Sequence, residues 1–104
     1  MYMEKTQFIH LITQNYKKAL NIIIDKNSDY ATEKDPFANF RSCEQCGVKL
    51  EQGIMVRLLD KVTRISNLLH KKNQVKDETI EDTLLDLMNY SNILLTYIQI
   101  KKNK

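Results

Sequence analysis

In the stretch DETIEDTLLDLMNYSNILL, residues 77–95, Glu78, Asp82, Asp86 and Asn89 recur at steps of four, four and three. On a helix that spacing sets three carboxylates and an amide in one stripe beside an apolar seam. Upstream, Arg57, Lys61 and Arg64 form a basic stripe on a second amphipathic stretch, and the polar link 72–76 is short enough to fold the two back on each other. Acid then faces base across a hairpin. Carboxylates in such a row are the oxygen donors a hard cation such as Mg2+ takes, with water and phosphate completing its shell. Arginine and lysine beside them suit the remaining phosphate oxygens. The same layout also reads as a purely structural set of salt bridges, each contributing about 0–1 kcal/mol when exposed. Residue chemistry leaves both readings open.

The elements that must carry these side chains follow from composition and periodicity. A chain of 104 residues, 42% hydrophobic, with two Gly, one Pro and no Trp, has too few turn formers for a sandwich or barrel. It reads as one all-α domain over residues 1–104, a compact four-helix bundle with its core over about 5–98 and a basic tail at 99–104. Phe8, Ile9, Ile12, Tyr16, Ala19, Leu20 and Ile23 predict a first helix over 4–26. A polar connection, NSDYATEKD, follows. Asp35 before Pro36 signals a second start, giving a short helix over 36–46 that stops at Gly47. Met55, Leu58, Val62, Ile65 and Leu69 predict a third helix over 50–71, in which Gly53 weakens the first turn. Asp77 caps a fourth, with Ile80, Leu84, Leu87, Ser91, Leu94 and Ile98 predicted on its inner face. Counting outward from Gln74 at about 1.5 Å per residue sets Arg64 near Leu84, Lys61 near Leu87 and Arg57 near Ser91.

A net charge of +3 is mild, and much of it lies at Lys101, Lys102 and Lys104. Such a tail reads as solvated rather than as a nucleic-acid contact. Neither a secretory leader nor an apolar run of membrane-spanning length is visible, so the expected compartment is the cytoplasm. Cys43 and Cys46 form one Cys-x-x-Cys; His10 and His70 stand at no recognised spacing from it, so the pair reads as reduced, half-buried thiols rather than a zinc site. In the irregular region, Tyr30, Phe37 and Phe40 offer ring faces for a base and Asn39 an edge reader, or else serve as plugs tying the loop to the core.

Three segments, KNSDYATEKDPFANF at 26–40, RLLDKVTRISNLL at 57–69 and VKDETIEDTLLDLMNYSNILL at 75–95, resemble in order the nucleotide-modification-associated domain family, first of its series, found in phages and bacteria. That family is in turn distantly similar to the MazG-like all-α nucleotide pyrophosphatases, whose paired acids hold Mg2+. The resemblance implies a nucleotide or phosphorylated nucleoside as partner, a homodimer or higher homo-oligomer, and a pocket that includes Lys26, Asp29, Tyr30, Phe37, Asn39 and Asn89 with Arg57, Lys61 and Arg64. It would assign Mg2+ to Glu78, Asp82 and Asp86. Departures are specific. Asp86 matches the Asp of the pyrophosphatases' Glu-x-x-Asp, but Thr83 stands where the Glu belongs; Lys61 and Arg64 stand where their Glu-x-x-Glu has two acids. The expected function is nucleotide binding, with or without pyrophosphohydrolase chemistry at a reduced metal site. A nucleotide-sequestering binder or a helical interaction module is the alternative.

Overall fold

The computed structural model describes residues 2–30, 35–71 and 77–103, without the side chains of 27–30 and 77–79. Among the described residues the fold is all-helical: α1 (Lys5–Tyr30), a 3-10 helix (Ala38–Cys46), α2 (Leu50–His70) and α3 (Asp77–Lys102). Among the described residues no helix is long and apolar enough to cross a membrane. The antiparallel pair α2 and α3 is the body of the molecule, α1 packs on α3, and the 3-10 helix packs on α2.

The second helix differs from the α-helix expected at 36–46, and the reason lies in its apolar spacing. Phe37, Phe40, Cys43 and Cys46 recur every three residues, the period at which a 3-10 helix stacks its side chains in one row. Two i to i+3 backbone bonds, Ala38 N to Asp35 O at 3.1 Å and Phe40 N to Phe37 O at 2.9 Å, start it. Gly47 ends it at φ 78°, a left-handed conformation that suits a residue without Cβ, and its N–H returns to Glu44 O at 3.1 Å. The row drives Phe37 and Phe40 against Leu50 and Ile54 of α2, under Tyr90, Ile93, Leu94 and Tyr97 of α3. Ile54 and Leu50 are the most deeply enclosed, at 0% and 1% exposure.

Other expectations shift as well. α1 runs to Tyr30 rather than stopping at 26, absorbing the start of the polar connection. The inner face of α3 is partly rotated from the one predicted: Ile80, Leu87 and Leu94 are half-buried as expected, but Thr83 and Leu85 are buried and Asn89, Tyr90, Ile93 and Tyr97 half-buried, whereas Leu84, Ser91 and Ile98 are exposed. Phe40 of the 3-10 helix packs on the first turns of α2 at Leu50 and Ile54, and the aromatic side of α3 turns toward it. Nor is the C-terminus a free tail up to Lys102: α3 continues that far, and Lys101 Nζ donates to Glu51 Oε2 at 2.7 Å while lying 5.5 Å from the Tyr97 ring centre.

Gly53 has a local reason in the contact between α2 and the 3-10 helix. A Cβ placed there would lie 2.6 Å from Cys43 Sγ and 3.3 Å from its Cβ. The thiol is held in that position by the Phe40 carbonyl at 3.3 Å and the Lys49 carbonyl at 3.7 Å. Gly53→Ala should therefore destabilise by about 1 kcal/mol despite the better helix former. In a Cys43→Gly background, which removes both the Sγ and the Cβ, the same change should stabilise by about 0.5–1 kcal/mol, because only the propensity gain remains. Urea unfolding of the four proteins of this cycle reads the sign reversal.

Candidate functional site

Asp86 lies where α1, α2 and α3 meet. Lys26 of α1 reaches its Oδ1 at 3.3 Å and Lys61 of α2 reaches its Oδ2 at 3.1 Å, so each carboxylate oxygen carries one ammonium. One helical step on, Asn89 Nδ2 donates to the Ala19 carbonyl at 2.9 Å. Ala19 is buried at that crossing, and its small side chain lets α3 approach closely. The amide bond orients Asn89, since its nitrogen is committed to α1.

A cavity of about 450 Å3 opens beside this junction. Its α3 wall is one stripe, Asp86, Asn89, Tyr90, Ile93, Thr96 and Ile100, with Asn92 at its edge. Ile23 and Lys26 line it from α1, Arg57 from α2, and Pro36, Phe37, Asn39 and Phe40 from the opposite side. Charge is concentrated at one end. Arg57 Cζ stands 5.0 Å from the Phe40 ring centre, and Lys61 Nζ 5.9 Å from that of Tyr90. Phe40 and Tyr90 meet edge to face at 6.1 Å, as do Phe37 and Tyr97 at 5.2 Å. Lys26 and Arg57 line the cavity while Lys61 stays on Asp86, so these four groups together carry a formal excess of two positive charges.

The residues expected from sequence are thus distributed unequally. Lys26, Arg57, Phe37, Asn39, Asn89 and Asp86 line the cavity, and Lys61 stands behind it on Asp86. Phe37 and Phe40 are 9% and 7% exposed, so these rings are core members that offer the cavity edges rather than open faces. Arg64 is not among the cavity residues; its Nε donates to Thr83 Oγ1 at 3.3 Å. Asp82 is exposed and outside the cavity. The side chains of Asp29, Tyr30 and Glu78 lie outside the described residues. Residues that sequence reasoning passed over, Ile93, Thr96 and Ile100, continue the Asp82, Asp86, Asn89 stripe by further steps of four, three and four. Extending that periodicity was the available signal.

The donor set bears on Mg2+. Among the described residues no group of three or more His, Cys, Asp or Glu could hold a metal ion. Asp86 is already engaged by two ammonium groups, and the other described acid of the stripe, Asp82, is exposed one turn before it and outside the cavity. The described acids alone do not make a three-ligand site, and Glu78, the third residue of the expected set, lies outside the described side chains.

The described residues form an all-helical protein with an aromatic-walled cavity that the cations Lys26 and Arg57 line beside Asp86. Residues 46–100 match the nucleotide modification associated domain 1 family, more than half of the chain, and the protein belongs to that family. No curated protein and no solved structure matches it. The matched region contains α2 and α3, hence Arg57, Lys61, Asp86 and Asn89; Lys26 and the Phe37 segment precede it.

That preceding segment is fastened by charge. Arg41 forms an ion pair with Asp35 and reaches Glu44 at 3.5 Å, and the Asp35 carboxylate also accepts the Phe37 N–H at 3.0 Å. The hydrogen bond from Arg41 holds the Asp35 carboxyl below its ordinary value, the Phe37 N–H adds to that, and partial desolvation opposes it. Lys101 likewise lowers Glu51. Both acids bind protons less readily folded than unfolded. Their stabilisation is therefore complete above the unfolded values near 4 and is lost as pH falls through the lower folded values. Melting temperature should be nearly flat from pH 7 to 5 as far as these acids are concerned and fall below about pH 4, and Asp35→Asn should flatten part of that acid limb in thermal melts.

Proposed function

We propose that this protein binds a nucleotide in the cavity between α1, the 3-10 segment and α3, its phosphate on Lys26 and Arg57 with Lys61 behind them on Asp86, and its base toward Ile93 and Phe37. The observation that carries this reading is the order of residues along the α3 wall of the cavity: Asp86 with its lysines, the amides of Asn89 and Asn92, then Ile93, Thr96 and Ile100, of which only Thr96 is polar. Asp86 and Ile93 are seven residues apart on one helix, about 10 Å. That separation is comparable to the reach of a nucleotide from phosphate to base. The volume of about 450 Å3 also falls in the usual range of small-molecule pockets. Asn89, oriented by the Ala19 carbonyl, leaves its oxygen as an acceptor for a sugar hydroxyl or a base N–H.

Family membership supports a nucleotide-related role, and the cationic mouth supports binding without hydrolysis. The second reading, a MazG-like pyrophosphohydrolase with Mg2+ on Asp86, Asp82 and Glu78, draws on Asp86 at the cavity mouth and on the acidic stripe of α3. Calorimetric titration with the ribo- and deoxynucleoside 5′-mono- and triphosphates, followed by recovery of the ligand, separates the two. Intact ligand supports the binder; released pyrophosphate supports the hydrolase; no binding of any nucleotide sinks both. Arg57→Ala should weaken binding at least tenfold, about the loss of one charge-assisted phosphate contact.

We further propose that the working form is a homodimer built on α1. Every residue from Lys5 to Lys18 is exposed, although Phe8, Ile9, Leu11, Ile12 and Tyr16 are among them. A helix of that length is marginal in water without a packed apolar face. The 12.3 kDa chain exposes 8520 Å2, about 2,400 Å2 more than the roughly 6,100 Å2 of a compact monomer of this mass. Its radius of gyration is 16.1 Å against about 13 Å for a compact 104-residue chain. An excess of that size is what a dimer interface removes. Light scattering should give twice the chain mass, and Ile12→Asp should lower both mass and melting temperature. A monomeric wild type, or an Ile12→Asp protein unchanged in both, would refute the dimer.

A further inference from the structure

We infer that Asp86 is a fixed counter-ion for two lysines rather than a metal ligand, and that the ligand class of this site is a nucleoside 5′-monophosphate held without a divalent cation. This rests on the nucleotide reading above and narrows it. The two carboxylate oxygens divide Lys26 and Lys61 between them, at 3.3 and 3.1 Å. The three side chains come from three helices, so the carboxylate sets the spacing of the ammonium groups before any ligand arrives. Asp86 is half-buried and Lys61 more sheltered than Lys26, whose side chain is 56% exposed. The lysine on the solvent side is free to swing onto a phosphate while the other stays on the carboxylate.

Charge decides the rest. Mg2+ on Asp86 would need oxygens at about 2.0–2.1 Å and would force its double charge against both ammonium groups, with Arg57 behind. One carboxylate cannot offset that. A phosphate monoester carries about −1.5 to −2 at neutral pH, which matches the two positive charges that Lys26, Arg57 and Lys61 hold in excess of Asp86. A nucleoside lacks that charge. A bare triphosphate brings roughly twice as much and leaves the surplus unneutralised.

Titration calorimetry with the common nucleoside 5′-monophosphates, their nucleosides and their triphosphates, each in EDTA and again in Mg2+, tests this on the wild-type protein. At least one monophosphate should bind in EDTA, change less than about twofold with Mg2+, and exceed its nucleoside by about a hundredfold. Asp86→Asn should tighten that binding roughly threefold to tenfold, because it removes a like charge from a partly exposed anion site. Binding that requires Mg2+, a magnesium triphosphate that outcompetes the monophosphate, or loss of affinity in a folded Asp86→Asn protein would each overturn the inference while leaving the nucleotide reading intact. Absence of binding by every nucleotide in both buffers would remove the nucleotide reading itself. The wild-type comparison of EDTA with Mg2+ stands even where Asp86→Asn fails to fold.

Discussion

Phe40 is the contact on which the rest of the structure depends. Its ring is buried at 7% exposure among Phe37, Leu50 and Ile54, meets the edge of Tyr90, and carries the Arg57 guanidinium over one face. Burying a Phe side chain contributes about 1.5–3 kcal/mol, a large share of what a small domain has in hand. The same ring closes one side of the cavity. Core and pocket are therefore one assembly, and a change that loosens the 3-10 helix moves Arg57 and the cavity wall together.

Against that shared wall, polar contacts make the site specific. Asp86 fixes two lysines, Asn89 fixes the distance between α1 and α3, and Arg64 satisfies the buried Thr83 hydroxyl.

Much of this arrangement was legible in the residues. The all-helical class followed from the scarcity of glycine and proline, and the hairpin of α2 and α3 from two amphipathic repeats joined by a short polar link. Counting across that link put Arg64 beside Leu84, one residue from Thr83. What escaped was governed by tertiary contact. The rotation of α3 about its axis was set by Phe40 and Phe37, which draw Tyr90 and Tyr97 inward in place of Leu84 and Ile98. The 3-10 geometry was written in a three-residue apolar period that a Pro-initiated helix signal obscured. Lys26 joined the site through a long-range ion pair that no local pattern encodes, and entered the sequence reading through family resemblance alone.

The rungs between α2 and α3 have a collective consequence. Arg64 with Thr83, Lys61 with Asp86 and Glu51 with Lys101 bridge the two helices at successive heights along almost their whole length. Apolar ridges alone tolerate a slip of one turn, since leucine meets leucine again at the next groove. A displacement of about 5.4 Å here would break every rung simultaneously and bring none of the same partners back into phase. The pair behaves as a vernier with a single setting, so the cavity at the Asp86 end is zeroed by a clasp at the opposite end of the molecule.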